Sequence, residues 1–289
     1  MIKVIEVKME LLQLKYFCHS ARNENFSKTA KEYQVPVSNI SQSIHRLESE
    51  LNLKLFDRTA NKVKLNAQGK AFYDKVSEAL TLIEDAKKQV FDKESIKGEI
   101  RILAETNRRI VVEAVTEFQS KFPDVSFFIN HSPDDDYSKY DCVITDRLLN
   151  NESFDKKLLV RERILLAVEK QNKIAHLKQI NQKNLENEKF ITPRGNGGLY
   201  DITEEICNKL GFEPHIVIQS DDPYYIRKYV EMGMGLSFIP EKSWKGLFSE
   251  NVVLKDVGDK KRDTYLYTHK NRYHTMALKH FTELLTSIS

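Results

Sequence analysis

The spacing of apolar residues divides this chain into a helical N-terminal region and a longer region of alternating strands and helices. Up to Asn66, apolar side chains recur three and four positions apart, which predicts short amphipathic helices. The clearest of these helices follows Val35-Pro36 and carries Ile40, Ile44 and Leu47 on one face. From about residue 98, short apolar runs alternate with amphipathic stretches, which predicts an α/β region with a mostly parallel sheet.

The pattern also places the individual elements of the second region. Strands are predicted at 99–104, 125–129, 142–144, 164–168, 215–218, 236–239 and 264–267. Helices are predicted at 110–122, 199–210, 223–232 and 275–287.

Residues 26–50 have the pattern of a helix-turn-helix, with the small Ala30 where the second helix must approach the first closely. We predict that Ser27 caps the first helix and that Pro36 begins the second, because both residue types are favoured at those positions. The outward face of the second helix carries short side chains that can contact base edges in a DNA major groove. An ordinary solvated helix face has the same pattern, so spacing alone leaves both interpretations open. The candidate DNA-binding residues are Ser27, Val37, Ser38, Asn39, Ser41, Gln42 and His45.

Residues 55–65 end in alternating charged and apolar positions, which predicts a half-exposed strand beside the helix-turn-helix. Arg58, Lys62 and Lys64 in this wing are placed to meet phosphates or a minor groove. Eleven basic and seven acidic residues up to Asn66 give this region a net charge of +4, whereas the whole chain carries +3. The remaining residues therefore carry −1, and the basic excess of the first quarter indicates an anionic partner.

One long helix is predicted at 67–93, with Asn66 as its N-cap. Its apolar residues step alternately by four and three positions, which is the a/d pattern of a helix that packs against another helix. Packing against a partner helix and packing against its own chain both fit this pattern. The residues of this seam are Phe72, Val76, Ala79, Ile83, Ala86 and Val90.

Five sequence blocks of the N-terminal region resemble the LysR-type transcriptional regulators, in the order in which that family has them. The blocks are Leu14-Lys15-Tyr16-Phe17, Phe26-Ser27-Lys28-Thr29-Ala30-Lys31, Val35-Pro36-Val37-Ser38-Asn39-Ile40-Ser41-Gln42-Ser43-Ile44, Leu47-Glu48-Ser49-Glu50-Leu51-Asn52-Leu53-Lys54-Leu55-Phe56-Asp57-Arg58 and Leu65-Asn66-Ala67-Gln68-Gly69. The resemblance implies a winged helix-turn-helix at 9–66 that binds double-stranded DNA and regulates transcription. It also implies that linker helices at 67–93 pair into a homodimer and that homotetramers are common.

The second helix of the helix-turn-helix departs from the family pattern at two places. Pro36-Val37 stands where the family often has Ser-Gln, and Gln42 stands where it often has Arg. Val37 can contact a thymine methyl group, and Gln42 can pair with adenine. We therefore predict A·T pairs under this helix in the DNA site.

The second region resembles the same family at two further blocks, Phe122-Pro123-Asp124-Val125 and Val230-Glu231-Met232-Gly233-Met234-Gly235-Leu236-Ser237-Phe238-Ile239-Pro240. The resemblance implies an effector-binding domain at 98–289, built from two α/β subdomains that resemble a periplasmic binding protein. Subdomain I is expected at about 98–160 and 264–289, and subdomain II at about 161–263. The two crossover strands are expected near 159–163 and 263–265. The fold is therefore expected to be α/β overall, behind an all-α winged helix-turn-helix.

Ligands of such α/β folds bind beyond the carboxyl ends of strands and at helix N-termini. Thr hydroxyls and free backbone N–H groups there suit a small-molecule carboxylate effector, with Arg194 as a candidate ion-pair partner. Ordinary helix caps and loop residues have the same pattern, so both interpretations stay open. The candidate effector-binding residues are Thr106, Asn107, His131, Thr192, Arg194, Ser220 and Asp221.

The segment between Asn130 and Asp141 departs from the family, which usually has a helix there. Its proline and three acids predict that this helix is truncated or lost, which would reshape one wall of the cleft. The adjacent acids Asp134–Asp136 are expected to be solvated, and no metal site is expected.

No nucleophile-elbow, metalloprotease or nucleotide-binding motif occurs, so we expect no enzyme activity and no cofactor. His269, His274 and His280 are five and six positions apart, do not share one helical face, and are expected on the surface. Two alternative functions are a solute-binding protein and an α/β enzyme domain fused to a DNA-binding module.

Three cysteines, Cys18, Cys142 and Cys207, lie far apart and are expected to be buried, free thiols. The longest apolar runs are far shorter than the roughly 20 residues of a membrane span. The first residues lack the apolar core of a secretory signal. We therefore expect a cytoplasmic protein without a membrane partner.

Overall fold

The computed structural model describes residues 9–59, 62–92, 96–132, 134, 136–149, 151–195 and 198–288. The chain divides into two compact units, Met1–Lys93 and Glu94–Ser289. The division falls where the pattern of apolar residues changes from helical spacing to short alternating runs.

Helices dominate the first unit. Its elements are α1 (Leu11–Asn23), α2 (Phe26–Tyr33), α3 (Val37–Leu51), β1 (Phe56–Thr59), β2 (Lys62–Leu65) and α4 (Ala67–Phe91). Phe17, Ile40, Ile44 and Leu47 are fully buried between the first three helices, and Leu55 at the start of the wing joins the same core. The apolar spacing of α3 therefore predicted its buried face correctly.

The helix ends of the first unit differ from the sequence prediction at two of three caps. Ser27 does not cap α2, because Asn25 lies at the N-cap and accepts a 3.0 Å hydrogen bond from the Lys28 N–H. Pro36 is the N-cap of α3 and not its first helical residue. The predicted cap of α4 is confirmed, since the Asn66 side chain accepts a 2.8 Å bond from the Gly69 N–H.

A close approach explains the glycine at the start of α4. A Cβ on Gly69 would lie 2.1 Å from the carbonyl oxygen of Leu55, well inside the distance that atoms tolerate. Only glycine therefore lets the helix begin this close to the backbone that leads into the wing.

The predicted seam of α4 divides into two parts with different surroundings. Phe72 and Val76 pack into the core of their own unit, so packing against the own chain, one of the two predicted alternatives, holds for this first half. In the second half, Ile83 and Val90 are exposed by 40% and 65%. Ala79 and Ala86 are exposed as well, which leaves a short apolar stripe on the surface of this unit.

Strands and helices alternate along the second unit. Its elements are β3 (Gly98–Ala104), α5 (Arg108–Lys121), β4 (Val125–Asn130), β5 (Cys142–Thr145), β6 (Phe154–Glu169), α6 (Gln182–Leu185), β7 (Lys189–Pro193), α7 (Leu199–Lys209), β8 (His215–Ser220), α8 (Pro223–Glu231), β9 (Ser237–Pro240), β10 (Val252–His269) and α9 (Met276–Ser287). The predicted strands at 164–168 and 264–267 are parts of the long strands β6 and β10, and the strand β7 was not predicted.

The main sheet is mixed and not mostly parallel, so that prediction was wrong. Its order is β4-β3-β5-β10-β6-β9. Strand β3 is parallel to β4 and β5, whereas β10 is antiparallel to β5 and β6, and β6 is antiparallel to β9. The long strands β6 and β10 account for the difference, because each runs through both halves of the unit.

Two large hydrophobic cores lie in the second unit, toward opposite ends of these long strands, and a smaller cluster surrounds Phe154 and Tyr267. Ile102, Phe118 and Phe281 belong to the core around β3, α5 and α9. Phe190 and Phe238 belong to the core around β7, β9, α7 and α8, where β7 and β8 form a small parallel sheet. This two-core α/β arrangement agrees with the predicted pair of subdomains.

The segment between β4 and β5 contains one 3₁₀ turn, Tyr137–Lys139, among its described residues, which agrees with a truncated helix. Asp134 is not simply solvated as predicted, because it accepts hydrogen bonds from Lys139 and from the Tyr140 hydroxyl at 3.1 and 2.9 Å. Asp135 lies outside the described residues. This part of the chain shows no group of three potential metal ligands among the residues described.

The burial of the three cysteines and of His269 can be compared with the sequence predictions. Cys18, Cys142 and Cys207 are buried and free, as predicted. His269 is not a surface residue, because its ring packs 4.3 Å from that of Phe154 and burial lowers its pKa. In the described part of the chain, no helix combines the length and the apolar character that crossing a membrane requires.

Candidate nucleic-acid surface and ligand cavity

The candidate DNA-binding residues of α3 lie together on its outward side. Val37, Gln42 and His45 are exposed, as are Ser38 and Asn39, and Ser41 is half-buried. The opposite side of α3 is fully buried, so this outward side has a fixed orientation in its unit. Pro36 provides no side-chain cap. The Asn39 N–H donates to the Pro36 carbonyl at 3.0 Å, so the Val37 and Ser38 N–H groups are the ones that an anion such as a phosphate can bind.

The turn between α2 and α3 sets the direction of the exposed helix. Gln34 adopts the left-handed conformation with a φ of 54°, and the Val35 N–H donates to the Ala30 carbonyl at 3.0 Å. Ala30 is 2% exposed, as expected at the closest approach of the two helices. Ser27 is exposed on the first turn of α2.

Glu48 ties α3 to the wing. Its buried carboxylate accepts hydrogen bonds from the Leu55 and Phe56 N–H groups at 2.9 and 3.3 Å. The same carboxylate pairs with Arg58 at 3.1 Å, and the Arg58 guanidinium lies 5.3 Å from the Phe26 ring centre. Sequence reasoning assigned Arg58 to phosphate contact and missed this structural partner.

Of the other two basic residues of the wing, the structure describes the side chain of Lys64 but not that of Lys62. Lys64 is exposed on β2, opposite Asp57 on β1. Lys62 lies on the backbone of β2, but its side chain is outside the described part of the structure.

A cavity of about 440 Å³ lies within the second unit, between its two subdomains. A volume of this size suits a small organic ligand. Five of the predicted effector-binding residues line it: Thr106, Asn107, His131, Arg194 and Asp221. Thr192 and Ser220 are not among its lining residues, because Thr192 is fully buried in β7 and the Ser220 hydroxyl accepts from the Asp222 N–H at 3.3 Å.

Arginines that sequence reasoning missed dominate the charge of this cavity. Arg108 begins α5 and Arg227 lies in α8, and both line the cavity together with Arg194. No ion pair joins any of these three guanidinium groups to a carboxylate of the described residues. The Arg227 guanidinium lies 5.2 Å from the ring centre of Trp244, which also lines the cavity.

Two of the helices that begin at the cavity have no side-chain cap. Asn107 holds the N-cap position of α5 with a φ of 51°, but its amide donates to the Thr264 hydroxyl at 2.6 Å instead of capping the helix. Gly198 holds the N-cap position of α7 and has no side chain to offer. Uncapped N-termini are favourable neighbours for an anionic group.

A buried ionic network links the crossover strands to both subdomains. Glu162 on β6 accepts from Arg262 on β10 at 2.8 Å and from the Ser243 hydroxyl at 2.8 Å. Burial raises the pKa of Glu162, but the Arg262 charge and the hydrogen bonds outweigh burial, so the pKa is lowered. Asp146, which follows β5, lies 3.6 Å from Arg262 and completes the network.

Comparison with known proteins gives the same division of the chain. The family model described as a bacterial regulatory helix-turn-helix protein of the LysR family matches residues 11–70. The family model of the LysR substrate binding domain matches residues 93–288, more than half of the chain.

Individual relatives and solved structures agree with these matches. The transcriptional dual regulator GltC of Bacillus subtilis (strain 168) is 28% identical over 250 residues, covering 82% of each chain. The structure of full-length CbnR complexed with its target DNA superposes with a TM-score of 0.65 at 19% identity, covering 97% of this chain and all of that one. Full-length BenM gives a TM-score of 0.57 at 19% identity, covering 97% and 96%.

These matches favour neither of the two alternative functions, because the relatives are regulators and not solute-binding proteins or enzymes. The chain belongs to the LysR family of transcriptional regulators, with a helix-turn-helix DNA-binding domain followed by an effector-binding substrate domain.

Proposed function

We propose that this regulator reads DNA through the outward side of α3 and responds to a small anion bound in the cavity of its second unit. The observation that carries this proposal is the cavity itself, lined by Arg108, Arg194 and Arg227 without paired carboxylates. None of these three guanidinium groups forms an ion pair with a described residue, although Asp221 and Asp222 also line the cavity, so each can pair with the carboxylate of a bound anion. The domains are proposed to span 9–66, 67–93 and 98–289, with subdomain II at about 161–263.

The proposed DNA contacts divide into base readout and phosphate contact. Val37 and Gln42 are proposed to contact an A·T pair, and the other outward residues of α3 to contact neighbouring base edges or phosphates. Lys62 and Lys64 are proposed to contact phosphates beside the wing. Arg58 is proposed to act mainly by holding the wing against α3 through Glu48.

The exposed half of the α4 seam supports a proposal on assembly. Ile83 and Val90 with their two neighbouring alanines form an apolar stripe that a second copy of α4 can cover. We propose a homodimer through this stripe, with a homotetramer as a further assembly. We also propose that the protein acts in the cytoplasm, where a bacterial regulator of this family would meet its DNA.

Fluorescence anisotropy of labelled DNA tests the proposed function. The full chain is titrated against the DNA upstream of its own gene and against a shuffled sequence of equal composition, with and without a panel of small carboxylates. Tighter binding to the upstream DNA, changed by at least one carboxylate, is the expected result. Equal affinity for both DNAs would contradict sequence-specific readout, and an unchanged affinity with every carboxylate would contradict the effector role of the cavity.

A further inference from the structure

Two arginines of the cavity come from opposite subdomains and repel each other. Arg108 begins α5 in subdomain I, and Arg227 lies in α8 of subdomain II. Burial and the charge of Arg108 lower the pKa of Arg227, whereas the charges of Asp222 and Glu231 raise it. The net effect is a lowered pKa. An anionic group bound by both guanidinium groups would remove this repulsion and join the two subdomains.

Acceptor atoms without partners lie directly beside Arg108. The turn from β3 into α5 contains Glu105 and Asn107, which both line the cavity. One carboxylate oxygen of Glu105, Oε1, and the amide oxygen of Asn107 are buried and have no hydrogen-bond partner. Native proteins seldom leave buried polar atoms unpartnered, so these two oxygens indicate a missing donor.

Other contacts fix both side chains in place. The second oxygen of Glu105 accepts from the Thr145 hydroxyl at 2.7 Å and pairs with Arg147 at 3.4 Å. The amide nitrogen of Asn107 is held by Thr264 at 2.6 Å, and Asn107 is only 4% exposed. The unpartnered oxygens therefore belong to side chains that are already oriented, which lowers the entropic cost of binding a donor.

We propose that the effector of this cavity is a small α-amino acid, whose carboxylate binds between Arg108 and Arg227 and whose ammonium group faces Glu105 and Asn107. The proposal rests on the effector role of the cavity and names its ligand class. In an α-amino acid the carboxylate and the ammonium group are attached to the same carbon. The Arg108 guanidinium and the acceptors of Glu105 and Asn107 lie within four consecutive residues, so both groups of one ligand can reach them. Leu199 and Leu247 of the cavity wall can contact the side chain of the ligand.

An acid that lacks the amine fits this arrangement less well. Its carboxylate can still bind the two arginines, but Glu105 and Asn107 then keep buried acceptors without donors. A site built for a hydrogen-bond donor discriminates strongly against the analogue that lacks it. Comparing an amino acid with its des-amino analogue therefore distinguishes an amino-acid effector from a simple carboxylate effector.

The test titrates the full chain with the common protein amino acids and, for each, the same carbon skeleton without the amino group. Trp244 is the only tryptophan of the chain and lines the cavity, so its fluorescence reports binding directly, and calorimetry gives the affinities. At least one amino acid is expected to bind about tenfold more tightly than its des-amino analogue. Equal or tighter binding of the analogues overturns the amino-acid proposal, and so does the absence of binding by any amino acid.

Two variants locate the binding groups. Glu105→Gln is expected to remove most of the preference for the amino compound, and Arg227→Gln to weaken both compounds by about tenfold or more. Lys121→Gln is the matched control, because Lys121 lies at the far end of α5, pairs with Glu117 at 2.6 Å and does not line the cavity, so both affinities should stay nearly unchanged. Full discrimination in a folded Glu105→Gln variant overturns the proposal.

The two proposals fail in different ways. If des-amino acids bind as tightly as amino acids and still change DNA affinity, the effector role stands and only the ligand class is wrong. If amino acids bind in the cavity but the protein shows no preference among DNAs, the DNA-binding part of the proposed function fails and the ligand class stands.

Discussion

The carboxylate of Glu48, near the end of α3, lies 3.1 Å from the guanidinium of Arg58 in the wing. The side chain of Glu48 is 1% exposed, whereas that of Arg58 is 35% exposed. Because the same carboxylate also accepts two backbone N–H groups, a single buried residue fixes the wing relative to the helix proposed to read DNA. We therefore expect affinity for DNA to depend on Glu48 even if this residue does not contact DNA.

Replacing Glu48 is expected to destabilise the wing. Glu48→Ala leaves two backbone N–H groups and Arg58 without their acceptor, which we expect to cost about 2 kcal/mol of unfolding free energy. Urea unfolding of the full chain measures this loss, and DNA affinity should fall with it. Glu78→Gln, an exposed residue of α4 paired only with Lys75, is the control and should change stability by less than about 0.5 kcal/mol. An unchanged unfolding midpoint in Glu48→Ala would show that the wing does not depend on this carboxylate.

Gln42 is expected to control base preference. Gln42→Ala should cost about 1–3 kcal/mol of binding free energy and relax the preference for A·T at one position, because the amide can no longer pair with adenine. Selection of bound DNA from a random pool, with wild type and variant in parallel, measures this change. Recovery of half-sites with only G·C pairs under α3 by the wild type would refute the readout.

Lys64 is expected to contribute affinity without sequence preference. Lys64→Ala should weaken binding to all DNAs alike and lower the slope of log affinity against log salt by about 1, since one phosphate contact is lost. Anisotropy titrations over a range of salt concentrations give this slope. Lys209→Ala, an exposed lysine of α7, provides the matched control and should leave the slope unchanged. A loss confined to one DNA sequence would contradict the phosphate role of Lys64.

Ile83 is expected to be essential for the homodimer. Ile83→Glu places a charge in the exposed half of the α4 seam, where the proposed partner helix would bury it, so the variant should dissociate to monomers. Sedimentation velocity of the full chain measures the assembly state. Leu53→Glu changes another exposed apolar residue of the first unit, 45% exposed, and should leave the dimer intact. If the dimer persists in Ile83→Glu and dissociates in Leu53→Glu, the dimer interface does not lie on α4.

Glu162 is expected to make stability depend on pH in the acidic range. Its pKa lies below the ordinary value of 4.5 in the folded protein, because Arg262 and Ser243 stabilise the carboxylate more than burial destabilises it. The stabilisation is present above the unfolded pKa and is lost as pH falls through the folded pKa. Glu162→Gln should therefore flatten the decline of melting temperature below about pH 4.5. If the melting temperature of Glu162→Gln declines with falling pH as steeply as that of the wild type, other carboxylates cause the acid sensitivity.

Much of the fold followed from local pattern. The steps between Ile40, Ile44 and Leu47 identified the buried face of α3, because a helix repeats its side-chain direction at that spacing. Asn66 was identified as the cap of α4 for a similarly local reason, since a cap bonds within three residues. The family and its two-part organisation were recognisable because their sequence blocks are short and contiguous.

Other features depended on contacts between residues far apart in the chain. The antiparallel pairing of β6 with β10 joins Arg161 to Asp263, so no local pattern could show that the main sheet is mixed. The division of the α4 seam depended on which half the core of its own unit covers, since both halves have the same apolar spacing. Glu48 and Arg58 illustrate the same limit, because the sequence shows two opposite charges but not that they pair or that Glu48 is buried.

The cavity shows most clearly where sequence reasoning ended. The chain itself determined that strand ends and helix starts at Thr106, Asn107 and Arg194 would carry polar groups. Only the tertiary structure brought Arg108 and Arg227 from opposite subdomains to one cavity, left Thr192 outside it, and left acceptors of Glu105 and Asn107 without partners. The physical reason is that the electrostatic interactions of a charged group involve all of its neighbours in space. The sequence alone identifies only those neighbours that lie within a few residues along the chain.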